Sequence, residues 1–516
     1  MAVLTRRSLL AGGLAVCGLS SARLRALAGP SVRRLAFFPF KLGVASGDPA
    51  ADGMVLWTRL APDPLNGGGM PPVPVDVVWE IADDDRLQRV VRHGVARAMP
   101  ESAHSLHVEV NGLRPDRWYW YRFRVGDALS PIGRTRTLPP PGALADRLRF
   151  AFASCQHYET GYFTALRHLA AEDLDLVFFL GDYIYENRGD ETQVRFHTGP
   201  EIVTLEDYRT RHAQYRTDPD LQAAHAAFPW LVTWDDHEVD NNYAGDMSEH
   251  NDPRREFLQR RAAAYQAYYE HMPLRPASIP AGPSMRLYRD VDYGTLASFF
   301  ILDTRQYRSD QPCGDRSNVP MCEGVAHPHT TMLGTAQETW LFDRLDRSTG
   351  RWNVLPQQVM MAKVDLQPGD GMRVSADQWS GYDADRTRVL NFLGTRRPAN
   401  PVVLTGDIHA NWVNDLKVNF QDPRSPAVAT ELVGTSITSG GDGVDLPAAR
   451  KAVLEENPFV RFHNAQRGYV SCEVTPKTMR ADYQIVDYVT RPDAPRRTRA
   501  SFVIENGRPG AQIDKT

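Results

Sequence analysis

The chain has 516 residues, 42% of them apolar and 24% charged, with a formal net charge of −4. That length exceeds what one hydrophobic core usually fills, so two domains are expected. The slightly acidic balance offers no cationic field for nucleic acid or anionic lipid, so no nucleic-acid-binding module is expected.

At the amino terminus, Arg6 and Arg7 precede the apolar stretch LLAGGLAVCGL. The run is too short for a transmembrane helix, which needs about 20 apolar residues. It resembles a twin-arginine export signal over residues 1–28, with Ala26-Leu27-Ala28 offering a small-residue cleavage site. The expectation is export through the twin-arginine machinery to a periplasmic or extracellular location. Val16 stands before Cys17 where a lipid anchor requires a small residue, so no anchor is expected. No later segment has membrane-span character.

Residues 36–140 carry short β segments, VVWEI, HSLHVEV, YWYRFRV and RTRTL, divided by Gly, Pro and Asp. This is the pattern of a small antiparallel β-sandwich. WYWYRFRVG alternates aromatic and basic residues as a half-buried strand does. LPPPGALADR at 138–147 then forms a stiff boundary, because three prolines in a row continue neither a helix nor a central strand.

A second domain, residues 148–505, alternates apolar runs with helical stretches at 204–215, 253–271 and 383–394, and ends near a hairpin at 467–486. Four runs, LRFAFA, LDLVFFL, WLVTW and PVVLT, read as buried strands. Two positions beyond the end of each stands a polar side chain able to bind a metal: Cys155, Asp182, Asp236 and Asp407. A strand feeding a turn holds its terminal side chain rigidly while the next loop faces a substrate.

Taken singly these residues have ordinary readings. Free cysteine is most often a small buried hydrophobe, a Gly-Asp pair is a common turn or cap, and Tyr185 alone is more often a packed aromatic. The second polar residue at fixed spacing changes the weight: Tyr185 three beyond Asp182, His237 directly after Asp236, and His409 two beyond Asp407. Oxygen, imidazole and thiolate donors together suggest more than one metal, with Asp182 able to bridge two. Such a centre polarises water for attack on phosphorus. His237 then protonates the leaving alkoxide.

Calcineurin-like metallophosphoesterases place D-x-H, G-D-x-x-D, G-N-H-E and G-H-x-H motifs at successive strand ends. Here the order is kept and the letters change to S-C-Q, G-D-Y-I-Y, D-D-H-E and G-D-I-H. Those departures resemble the alkaline phosphatase D (PhoD) family. The stretches YRTDPDLQAAH, WDDHEVDNNYAGD, LDTRQYRS and WNVLPQQVMMAKVD match in kind as well. The resemblance implies a four-layer αββα metallophosphoesterase sandwich behind the β-sandwich. It further implies a secreted phosphomonoesterase and phosphodiesterase with an alkaline optimum, acting on phosphate esters by attack of metal-activated hydroxide. By the same resemblance Cys155, Asp182, Tyr185 and His409 hold Fe3+, while Asp182, Asp236 and Asp407 serve Ca2+. Asn242 in VDNNYAG is a second-tier candidate for an amide oxygen donor to calcium, set against the commoner reading of Asn and Gly clusters as turns.

Arg305 is a candidate phosphate contact, whereas Arg308 reads as an ordinary surface pair. The run PRREFLQRRAAAY reads as the solvated face of a helix. In an oxidising compartment Cys313 and Cys322 are expected to pair, and Cys472 to pack in a core strand. A serine hydrolase is disfavoured because no G-x-S-x-G turn occurs, and GTSITSGG at 434–441 supplies hydroxyls without that geometry. The alternative outside enzymes is an exported, non-catalytic protein that binds metal or cell wall.

Overall fold

The computed structural model describes residues 37–314 and 316–515. The expected export signal lies outside them. Among the described residues no helix is long and apolar enough to cross a membrane.

The chain divides into two compact units. The first comprises residues 37–138 with His197–Leu231 and Gln259–Arg286. Within it, Val44–Ala50, Gly53–Arg59 and Ser105–Val110 form an antiparallel set. Pro229–Val232 pairs in parallel beside Val44–Ala50. A second sheet joins Val75–Ala82, Val90–Ala98, Trp118–Val125, Ala128–Leu129 and Gly133–Arg136. Residues Tyr119, Tyr121, Phe123 and Val125 of one strand are buried and pack with Val44, Leu56 and Val108 of the other sheet. The alternation read in WYWYRFRVG therefore sorts aromatics inward and arginines outward.

Helices Leu205–Arg216 and Pro219–Ala227 also belong to this unit. The charge run of the helix Arg254–His271 is solvated only in its first turn, where Arg254, Arg255 and Glu256 are exposed. Arg260 and Arg261 are 9% and 8% exposed, and Arg260 Nε donates to Tyr208 Oη at 2.9 Å. Tyr208 and Glu201 let the Arg260 guanidinium lie buried, a pairing the charge run alone does not reveal.

The second unit holds two sheets packed face to face. One runs in the order Arg508–Lys515, Arg496–Glu505, Thr478–Val486, Gly468–Val474, Leu148–Ala153, Leu176–Phe179. The other runs Arg289–Tyr293, Ala297–Ile301, Trp352–Pro356, Pro401–Thr405, Ala427–Val433, Asn411–Lys417, Val460–Gln466, Gly443–Val444. Phe150 and Phe178 of the first sheet meet Phe299 of the second at ring-centroid distances of 5.7 and 4.7 Å. Helices Gly334–Arg347 and Asp383–Arg396 cover the outer face of the eight-stranded sheet through Leu341, Leu345, Val389 and Leu393. Thr164–Ala170 lies against the other sheet. This is the αββα layering expected from the sequence.

Cys313 and Cys322 form a disulfide. Cys472 lies buried in its strand opposite Phe150 and Ala481.

Candidate metal centre

All seven side chains singled out in the sequence belong to the second unit and converge at the carboxyl ends of its central parallel strands. Leu148–Ala153 and Leu176–Phe179 pair in parallel, so their following loops leave on the same edge. The loops are stitched together by Cys155 N donating to Gly181 O at 3.0 Å and Gln156 N to Asp182 O at 3.1 Å. In the other sheet Pro401–Thr405 delivers Asp407 and His409.

Four of the seven, Cys155, Asp182, Asp407 and His409, have left-handed backbone with φ of 59°, 53°, 61° and 54°. Asn242 shares it at 52°. Non-glycine residues visit that region rarely, and it costs of order 1–3 kcal/mol when surroundings impose it. Gly181, φ 112°, makes the approach of two loops possible. A Cβ there would lie 2.4 Å from Asp235 Cβ. The imposed conformation turns side chains inward that a continuing strand would send to alternate faces.

Donor atoms of Cys155, Asp182 and His409 lie within 4.8 Å of one another, as do those of Asp182, Asp236 and His237 and those of Asp235, Asp236 and Asp407. Tyr185 Oη is 2.8 Å from Asp182 Oδ2 and 3.3 Å from His409 Nε2. Asp182 is common to two of the clusters, the place a bridging ligand must take.

Three carboxylates that the sequence reading did not single out hold this set. Glu238 accepts from Asp182 N at 3.1 Å, Tyr183 N at 2.6 Å and Asp235 N at 2.9 Å, tying two ligand loops to one buried side chain. Glu186 receives His237 Nδ1 at 2.7 Å and Asn241 N at 2.9 Å. Asp377 takes Arg305 Nη1 at 2.8 Å and Arg308 Nη2 at 2.6 Å. Glu186 and Glu238 sit beside recognised motif residues, which is the signal that could have found them; Asp377 has none.

Arg305 is fully buried among aspartates. It bonds Asp235 through Nε and Asp407 Oδ1 through Nη2 at 3.3 Å, with Asp236 Oδ2 at 3.7 Å. Arg308, read from sequence as a surface pair, is 3% exposed and donates to Asp377. Both guanidiniums are thus internal counter-ions. The short-range acid pattern could not show this, because the partners are about 70 residues away. Gln378 Nε2 bonds Asp407 Oδ2. Asn242 contributes its backbone N–H to Asp236 Oδ2 at 2.8 Å.

Burial dominates the electrostatics. It pushes the Asp182 carboxyl up to about 7 and Asp407 up to about 6, and it raises the Cys155 thiol and the Tyr185 phenol, with Asp182 adding to both. It lowers His409 to about 4. Asp236 is an exception: burial opposes its ionisation, but Arg305 and His237 outweigh it and hold it well below the usual range. His237 is the opposite exception, raised by Glu186, Asp236 and Asp182 against its own desolvation.

Four aspartates, 235, 236, 377 and 407, therefore share Arg305, and Arg308 adds a second cation at Asp377. Oδ1 of Asp182 and Oδ1 of Asp236 are buried and accept no hydrogen bond. Acceptor-only oxygens crowded without donors are what a cation satisfies, so the donor set fits metal. Thiol, phenol and imidazole cluster with Asp182, whereas the donor group that contains Asp407 consists of the carboxylates of Asp235, Asp236 and Asp407, which gives one side softer donors and the other hard oxygens. His409 and His237 keep 36% and 18% of their side chains exposed, marking the open side of the centre.

Comparison with known proteins gives one consistent answer. Residues 150–483 match the PhoD-like phosphatase family and residues 26–139 match the N-terminal domain of PhoD-like phosphatases. Alkaline phosphatase D of Bacillus subtilis strain 168 is 55% identical over 478 residues, covering 92% of this chain and 82% of that protein. A solved structure of PhoD superposes with a TM-score of 0.92 at 53% identity, covering 94% of each chain. The purple acid phosphatase PPD1 of yellow lupin, 13% identical with a TM-score of 0.52, covers 90% of this chain and 73% of its own, a likeness of fold.

Proposed function

The chain belongs to the PhoD-like phosphatase family and is a phosphoric ester hydrolase, and from that premise we propose how its residues divide the work. Cys155, Asp182, Tyr185 and His409 hold Fe3+, and Asp182, Asp236 and Asp407 hold Ca2+. The observation that carries this reading is the meeting of Cys155, Asp182 and His409 donor atoms in a buried cluster joined by Tyr185 Oη. Bound there, the metals supply Lewis acidity to the phosphoryl oxygens and to the attacking water.

The protein side of the reaction is positioning and proton transfer. Glu186 accepts the Nδ1 proton of His237, which leaves Nε2 as the nitrogen that meets substrate. His237 donates its Nε2 proton to the leaving alkoxide oxygen as the P–O bond breaks. Arg305 and Gln378 each bond one oxygen of Asp407 and fix its carboxylate plane. Thiolate and phenolate suit a ferric ion, and the carboxylate side suits calcium.

Residues 1–28 act as a twin-arginine export signal, 36–140 as the N-terminal β-sandwich and 148–505 as the catalytic domain. The mature enzyme works in the periplasm or outside the cell, on mono- and diesters at alkaline pH. Elemental analysis of natively exported protein by inductively coupled plasma mass spectrometry tests the metals. Iron together with calcium is expected; zinc or manganese alone would remove the Cys155 and Tyr185 assignments.

A further inference from the structure

Ser439 belongs to the segment GTSITSGG, whose hydroxyls have no role in the reaction as described. Its Oγ lies 2.6 Å from Tyr185 Oη, 2.8 Å from the Cys155 carbonyl oxygen and 3.3 Å from His157 N. One buried hydroxyl thus touches two of the four residues read as iron ligands. The segment is rigid: Ile437 N bonds Ser154 O at 3.0 Å, and Ser436 Oγ receives Arg467 Nη1 at 2.8 Å and itself donates to Ser439 O at 2.8 Å.

Tyr185 is held as firmly. Its ring lies between the imidazoles of His157 and His237, at centroid distances of 4.3 and 4.1 Å. The phenol oxygen therefore cannot swing away from Ser439 without unstacking from both.

A hydroxyl carries one proton and must choose between acceptors. The Cys155 carbonyl already accepts from Thr438 N at 3.4 Å and Ser439 N at 3.3 Å, so it stays satisfied without the hydroxyl. A phenolate oxygen is the stronger acceptor, and 2.6 Å falls in the range of charge-assisted O–H···O⁻ bonds. We infer that Ser439 is a positioning residue for the metal centre, whose hydroxyl donates to the Tyr185 phenolate and tunes its strength as an iron ligand. This rests on the reading of Tyr185 as a ligand of ferric iron.

A donated hydrogen bond withdraws electron density from the phenolate. Removing it makes Tyr185 a stronger donor, which moves the phenolate-to-iron charge-transfer band to longer wavelength and lowers the ferric/ferrous midpoint potential. The test compares visible spectra, midpoint potentials and iron content of the parent, Tyr185→Phe, Ser439→Thr, Ser439→Val and Ser439→Ala. Thr and Val have the same shape and differ by the hydroxyl.

The expected result is a parent whose phenolate-to-iron band, marked by tyrosinate modes in resonance Raman, is lost in Tyr185→Phe while the Cys155 thiolate band remains, a phenolate band kept in place by Thr, and a red-shifted phenolate band with lowered potential in Val and Ala. Loss of iron in Val and Ala with retention in Thr supports the same role. Unchanged band and potential in Val and Ala overturn the role of Ser439 while leaving Tyr185 a ligand, and so does equal loss of iron in all three Ser439 variants. A parent without tyrosinate resonance Raman modes, or modes that survive Tyr185→Phe, overturns the ligand reading itself and this inference with it.

Discussion

Glu186 Oε2 lies 2.7 Å from His237 Nδ1, inside a carboxylate whose other oxygen is tied to Asn241 N. Because Glu186 is fully buried it cannot be replaced there by water. The imidazole is therefore fixed in both tautomer and direction.

The role of His237 as proton donor depends on the leaving group. His237→Ala should slow hydrolysis of alkyl phosphates by about 10²–10⁴-fold, and aryl esters with acidic phenols far less. Glu186→Gln should follow the same pattern at about 10–100-fold. Equal losses on both ester classes, with metal content intact, would remove the assignment of His237 as the acid.

Gly181→Ala should be among the most damaging single changes in the chain. The new Cβ meets Asp235 Cβ at 2.4 Å from a backbone with φ 112°. Overpacking alone costs about 1–3 kcal/mol, and the two loops it would force apart carry Asp182 and Asp235. Reduced thermal stability together with lost metal is expected. A variant with parental melting temperature and parental metal content would contradict the close approach.

The two free cysteines are both buried, yet only Cys155 stands among metal-binding donors. Cys155→Ser should strip the protein of iron, while Cys472→Ser, in a strand between Phe150 and Ala481, should retain it. Iron analysis of the two purified variants decides the matter, since equal contents would refute the distinction.

Acid stability of the first unit should be set by buried imidazoles. His271 accepts from Arg59 Nη1 at 2.8 Å and donates from Nδ1 to Ala267 O at 2.7 Å, so it is neutral in the folded chain. It stacks on His212 at 4.9 Å. Burial, joined by the arginines around them, lowers His212 to about 3 and His271 well below the ordinary value. The unfolded chain takes up these protons near pH 6.5, and the folded chain refuses them until far lower pH. Stability is thus fully present above about pH 6.5 and falls by ~1.4 kcal/mol per pH unit for each imidazole as pH drops toward 3. His212→Phe should flatten that fall in pH-dependent denaturant melts, and a slope identical to that of the parent would exclude His212 as its source.

The legible parts of this molecule were those written locally. A strand that ends on a metal-binding residue can be read from a dozen letters, and LRFAFA and PVVLT coincide with the strands Leu148–Ala153 and Pro401–Thr405. Partnerships across long loops were not legible. Arg308 reads as a surface residue because its counter-ion Asp377 is 69 positions away. Ser439 reads as part of a glycine-rich turn because its contact with Tyr185 spans 254 positions. Charge runs mislead for the same reason, since burial of Arg260 depends on Tyr208, 52 residues earlier.

The left-handed backbone at Cys155, Asp182, Asp407 and His409 filters what these positions accept before any metal chemistry does. Asn, Asp and His tolerate that conformation, whereas Val, Ile and Thr clash with their own main chain. A redesign of metal preference can therefore exchange Cys155 for Asp or His on an unaltered loop. The same exchange to Thr would rebuild the loop first and leave no ligand geometry to compare.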